Sequence, residues 1–89
     1  MEVRRRLIVH GRVHGVGFRV FVARIAQSRR VAGTARNLPD GTVEVVLEGE
    51  PETVDSVDRL VREGPRGAQV ERVEAADEEP EGLTGFGTL

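Results

Sequence analysis

The chain has 89 residues and a formal net charge of −2, from thirteen basic side chains, all arginine, against fifteen acidic ones. That length suits one small domain with a modest core. With no cysteine and only two histidines, a disulfide framework, a thiolate metal site and a zinc centre are all excluded from expectation, and no apolar run is long enough to cross a bilayer. The opening Met1-Glu2-Val3-Arg4-Arg5-Arg6 leads into no signal-peptide core, so a cytoplasmic protein without metal or cofactor is expected.

Arg5 to Val13 alternates, with Leu7, Val9, Gly11 and Val13 on one face and Arg6, Ile8, His10 and Arg12 on the other. This predicts a first strand whose Leu7 face is the core face and on which His10 is a solvent-face residue rather than a ligand or base. From Phe18 the period changes, and Phe18, Val22, Ile25, Ala26 and Arg29 fall on one helical stripe with Phe21 packing at its edge. Val31 to Asn37 predicts a second strand, closed by the turn signal Leu38-Pro39-Asp40-Gly41. Thr42 to Glu50 completes a hairpin, with Val43, Val45 and Leu47 inward and Glu44 and Glu48 outward. Glu50-Pro51-Glu52 opens a second helix striped by Val54, Val57, Leu60 and Val61, and Gly64-Pro65 ends it.

In Gln69 to Asp77, a fourth strand, Val70 and Val73 stand three apart, which predicts a bulge. Asp77 to Gly82 reads as a solvated charged loop, and Leu83 to Leu89 as a short fifth strand. The order β-α-β-β-α-β with two amphipathic helices predicts an α+β fold, a ferredoxin-like sandwich with both helices on one face of an antiparallel sheet, formed by residues 1–89 as a single domain. In that connectivity the first two strands run the same way around an inserted third. Their C-terminal ends then share one sheet edge, roughly 10 Å apart at the backbone.

Between the first strand and the first helix lies Gly11-Arg12-Val13-His14-Gly15-Val16-Gly17-Phe18-Arg19, the layout of an anion cradle. Gly15 and Gly17 accept positive φ, so successive N–H groups can turn toward one point. The unpaired N–H groups of the first helical turn and the Arg19 guanidinium would join them. Nucleotide loops are excluded: a Walker A loop needs a lysine, which the chain lacks, and a dinucleotide fingerprint needs glycine where Val20 stands. A tight strand-to-helix turn with a solvated Arg19 fits the same residues equally well. Charge is also uneven, since residues 1–36 carry nine arginines and one glutamate (+8) while residues 37–89 carry four arginines and fourteen acids (−10). A positive field at the loop would speed capture of an anion, unless packing interleaves the two halves and cancels it.

The nonapeptide resembles the acylphosphatase signature G-R-V-Q-G-V-G-F-R, and Gly33-Thr34-Ala35-Arg36-Asn37-Leu38-Pro39-Asp40-Gly41 resembles that family's second signature, G-W-V-R-N-x-x-D-G. His14 stands where the family commonly has Gln, and Thr34 where an aromatic is common. The resemblance implies the ferredoxin-like fold and hydrolysis of a carboxyl-phosphate anhydride to carboxylate and inorganic phosphate. It also implies a phosphate site at His14, Gly15, Val16, Gly17, Phe18 and Arg19, with Arg19 and Asn37 catalytic. An amide can accept from water and donate to substrate, so Asn37 can hold the attacking water while Arg19 and the loop amides hold the phosphoryl oxygens. No side-chain nucleophile is then required, because phosphoryl transfer depends mainly on positioning and electrostatics. Without the resemblance, Asn37 would read as a turn-entry residue bonded to its own backbone. His14 is expected to shape the loop, since the family's amide there performs no proton transfer.

The competing class is a non-catalytic anion-sensing or regulatory domain of the same fold. RNA binding is disfavoured, because RNA readers on such sheets use aromatic platforms and only Phe86 lies outside the helical stripe. The expected partners are therefore a small acyl phosphate and inorganic phosphate, with no nucleic acid, no membrane and a monomeric state.

Overall fold

A computed structural model describes residues 1–89. Alternation along the first strand, β1 (Val3–Arg12), buries Leu7 and Val9 completely, and Val13 just beyond it follows. Helix α1 (Phe18–Ser28) buries Phe18, Val22, Ala23 and Ala26, while Phe21 packs against the core with its ring 6.0 Å from that of Phe18. Strands β2 (Ala32–Asn37) and β3 (Val43–Gly49) form the hairpin. Helix α2 (Pro51–Glu63) follows, then β4 (Gln69–Glu78) and β5 (Phe86–Thr88). One core joins residues of both helices to β1, β2, β3 and Phe86.

The sheet order is β4-β1-β3-β2-β5. Its first four strands have the expected antiparallel arrangement, but β5 pairs parallel to β2, so the sheet is mixed. The predicted bulge lies in β4. His10 pairs with Arg72 and Gly11 with Val70, which leaves Glu71 over and returns Val70 and Val73 to the same face.

Three expectations need correction. Glu44 and Glu48 do lie on the sheet face away from Leu47, yet all seven residues of β3 are buried. As the central strand, β3 is covered on that face by Arg4 and Arg6 of β1, Arg36 of β2 and the segment after β4. The stretch from Asp77 to Gly82 is exposed as expected at every residue but Glu78, yet it is anchored rather than loose. Glu78 is the last residue of β4 and binds Arg4 and Arg6, each at 2.8 Å, while the N–H groups of Glu81, Gly82 and Leu83 fold back onto Glu48. In α2, Asp58 takes the buried place expected of Leu60, because Arg5 reaches it from β1 at 2.8 Å.

These pairs also resolve the charge asymmetry. Arg4, Arg5 and Arg6 from the basic part are matched by Glu44, Glu48, Asp55, Asp58 and Glu78 from the acidic part. The halves interleave, and three of the four arginines of β1 are neutralised within the fold, Arg12 having no acidic partner.

Candidate active site

Strands β1 and β2 flank β3 in the same direction, and Val9 and Asn37 both pair with Val43. The loop after β1 and the end of β2 therefore meet at one sheet edge. Gly15 has φ 72° and Gly17 has φ 74°, ψ 25°, both in the left-handed region that glycine occupies without strain. Gly17 caps α1, whose first turn carries neither a side-chain cap nor an acidic residue. The first bond into the helix runs from Phe21 N–H to the Gly17 carbonyl at 3.0 Å, so the N–H groups of Phe18, Arg19 and Val20 have no helical acceptor.

A cleft of about 190 Å³ opens in front of these donors, lined by Gly15, Gly17, Phe18, Arg19 and Asn37 together with Val13, Val20 and Thr88. No acidic side chain lines it. Arg19 pairs with no acidic side chain. Its Nη1 donates to the main-chain oxygen of Leu89 at 2.7 Å, and Leu89 is held in turn by its own N–H, which donates to the Ala35 carbonyl at 2.9 Å.

Asn37 is half-buried at the cleft wall, and its amide has no side-chain or backbone partner within the chain. The turn beyond it is stabilised by Asp40, whose Oδ1 accepts from Thr42 N–H at 3.0 Å and from Thr42 Oγ1 at 2.6 Å. Those bonds, the hydroxyl first, hold the Asp40 carboxyl below the usual carboxylate range. The turn-entry role that Asn37 could have filled is thus carried by Asp40.

Two residues of the expected phosphate set present their side chains elsewhere. His14 donates from Nε2 to the Thr42 carbonyl at 2.8 Å, tying the loop to the start of β3, and Val16 packs against the core. Val13, Val20, Thr88 and Leu89 were not singled out from the sequence as site residues. Val20 is marked only by its position beside Arg19, and no spacing signals that the end of β5 arrives here. No group of three or more His, Cys, Asp or Glu side chains converges on a metal-sized site, and no helix is long and apolar enough to cross a membrane.

Comparison with known proteins follows the same outline. A family model described as Acylphosphatase matches residues 5–88. An acylphosphatase of Thermococcus kodakarensis is 54% identical over 85 residues, covering 96% of this chain and 93% of the relative. One from Gloeobacter violaceus is 48% identical over 87 residues, covering 98% and 94%. The crystal structure of acylphosphatase from Bacillus subtilis superposes with a TM-score of 0.95 at 35% identity, covering 98% of each chain.

Proposed function

The chain belongs to the acylphosphatase family, and from that premise we propose how its residues divide the work of the reaction. As an acylphosphatase it hydrolyses a small acyl phosphate to a carboxylate and inorganic phosphate. The comparisons support this enzyme over the non-catalytic anion-sensing alternative.

In our reading the phosphoryl oxygens lie against the N–H groups of residues 14–19, and the Arg19 guanidinium neutralises their charge. The bond from Arg19 to Leu89 leaves donors on the guanidinium for the substrate and fixes its orientation. Asn37 holds a water in line with phosphorus. The water oxygen forms the new P–O bond as the bond to the acyl oxygen breaks. The electron pair leaves with the carboxylate, and the water proton passes to the phosphate product or to solvent. A carboxylate is a good leaving group, so positioning and charge stabilisation supply most of the acceleration. His14 acts by holding the loop to Thr42 rather than by proton transfer.

The observation that supports this division is that Arg19, the glycine pair and an amide without a partner, Asn37, line one cleft free of acids. If Asn37 acts on the water and not on the phosphate, Asn37→Ala lowers kcat by about 10² to 10³ with little change in phosphate affinity. Turnover per folded molecule, measured beside the phosphate dissociation constant, tests this. A folded, fully active Asn37→Ala protein would overturn the role.

We further assign the reaction to residues 1–89 acting as a single domain and as a monomer in the cytoplasm, without metal, nucleic acid or membrane. Elution as a species twice the chain mass, or loss of turnover in chelator, would count against it.

A further inference from the structure

Glu48 lies at the end of the sheet remote from the cleft, yet it is among the most buried polar residues of the chain, with 1% of its surface exposed. Its Oε2 accepts from Arg4 Nη1 at 2.7 Å and from Glu81 N–H at 2.9 Å, and its Oε1 from Gly82 N–H at 3.1 Å and Leu83 N–H at 3.0 Å. Three successive backbone donors thus close around one carboxylate. Burial pushes the Glu48 carboxyl up, but donation from Glu81, Arg4 and Leu83 outweighs it and holds the group below its usual range, ionised.

The segment held in this way is the only covalent link between β4 and β5. Strand β5 is three residues long and pairs with β2 at only Gly33, Thr34 and Ala35. So short an edge strand does not hold its place by ladder bonds alone. It is seated at its start by the Gly33 N–H to Gly85 carbonyl bond at 3.0 Å and by Phe86 in the core. At its far end Thr88 lines the cleft and the Leu89 carbonyl receives Arg19.

We propose that Glu48 is a positioning residue for the hydrolysis: by clamping the N–H groups of residues 81–83 it seats β5, so that Thr88 completes the cleft and Leu89 orients Arg19. It acts from a distance. Glu48 pairs with Ala32 at the start of β2 and Asn37 ends that strand, five residue steps or roughly 17 Å away. A neutral amide cannot replace the carboxylate, because it offers one acceptor oxygen to four donors and turns its own NH₂ toward them. This inference rests on the role given to Arg19 above.

The test is a rescue. Thr34 and Gly87 are paired neighbours on β2 and β5, and the chain has no cysteine of its own. Thr34→Cys with Gly87→Cys therefore offers a single disulfide, its closure checked by loss of free thiol before activity is read, which ties β5 to β2 without Glu48.

Glu48→Gln is expected to lower kcat/KM for acetyl phosphate about tenfold, the scale of one misdirected charge-assisted bond, and to weaken phosphate binding. Amide exchange should quicken at Gly33 and Leu89 while the β1–β3 ladder stays protected. Oxidising the cysteine pair in Glu48→Gln should restore most of the loss, and the same protein reduced should not recover. Unchanged turnover and phosphate affinity in Glu48→Gln, or a loss that oxidation leaves in place, would overturn the proposal. Should Glu48→Gln not fold, Leu83→Pro removes one of the three donors, leaves the Arg4–Glu48 pair intact and carries the same expectations. An Arg19→Ala protein with undiminished turnover would instead overturn the site reading on which the inference rests.

Discussion

Arg4 at the start of β1 and Arg19 in the first turn of α1 carry the same guanidinium in opposite surroundings. Arg4 is 6% exposed and gives its donors to Glu48 and Glu78, with Glu81 nearby. Arg19 gives one N–H to the Leu89 carbonyl and faces a cleft without acids. A guanidinium saturated by carboxylates joins strands and has little left for an anion from solution. One that is oriented by a single main-chain oxygen keeps most of its donors for a ligand. The chain thus separates the arginines that join strands from the one that lines the cleft by partner rather than by residue type. Arg5 belongs with Arg4: burial alone would lower its pKa, but its bonds to Asp58 and Asp55 raise it.

The strongest way to break this comparison is at Arg19. Arg19→Ala is expected to lower turnover by at least about 10², since a charge-assisted contact that tightens in the transition state is lost, and to weaken phosphate binding as well. Arg19→Lys should restore little, because a point charge does not reproduce the planar fork. Stability should hardly change in either variant. Steady-state kinetics beside thermal melts check this, and near-normal turnover in Arg19→Lys would refute the geometric part.

An effect of comparable size but opposite kind, on stability rather than turnover, is expected at the structural end. Asp58 is buried between Arg5 at 2.8 Å and Arg62 at 2.6 Å. Asp58→Ala strands the part-buried Arg5 beside the solvent-exposed Asp55, and a cost of roughly 3 kcal/mol follows from breaking such a pair. Turnover per folded molecule should be unchanged. Urea unfolding with activity measured in the folded range would show it, and an equal loss of activity would erase the distinction between the two classes of arginine.

The mildest probe is acid. Bonds from Arg6 and then Arg4 hold the Glu78 carboxyl down to about 2, and Glu48 is also depressed. Both lie below the unfolded carboxylate value of about 4.3, so in that window the unfolded chain binds more protons. The contribution of Glu78 is complete above about pH 4.3 and is lost as pH falls toward about 2, and that of Glu48 is lost in the same direction. The melting temperature should therefore fall over that interval, and the fall should be shallower in Glu78→Gln. An identical slope in the variant would remove Glu78 from the account.

Much of this molecule is legible from local pattern. The two-residue alternation of Leu7 and Val9, the stripe from Phe18 to Ala26 and the interruption between Val70 and Val73 each report contacts within one element or with its immediate neighbour. Gly15 and Gly17 are legible for a related reason, since left-handed φ is a property of single residues. Glu48 was legible only as a charged residue on the outer face of a strand. Its burial depends on a segment that returns from the far side of β4, and alternation distinguishes the two faces of a sheet without saying what covers them.

The sequence by itself determined the order of elements, the two glycines of the loop and, through two signatures, the family, and it singled out Arg19 and Asn37, which the fold brings to one cleft. Only the tertiary structure decided which carboxylate meets which arginine, that Asp40 and not Asn37 stabilises the turn, and that β5 runs parallel to β2 to bring Leu89 to Arg19, seventy positions away in the chain. The physical reason is that periodicity and φ preference are set by neighbours along the backbone. A three-residue strand and a buried ion pair exist only where packing has already brought distant segments within hydrogen-bonding reach.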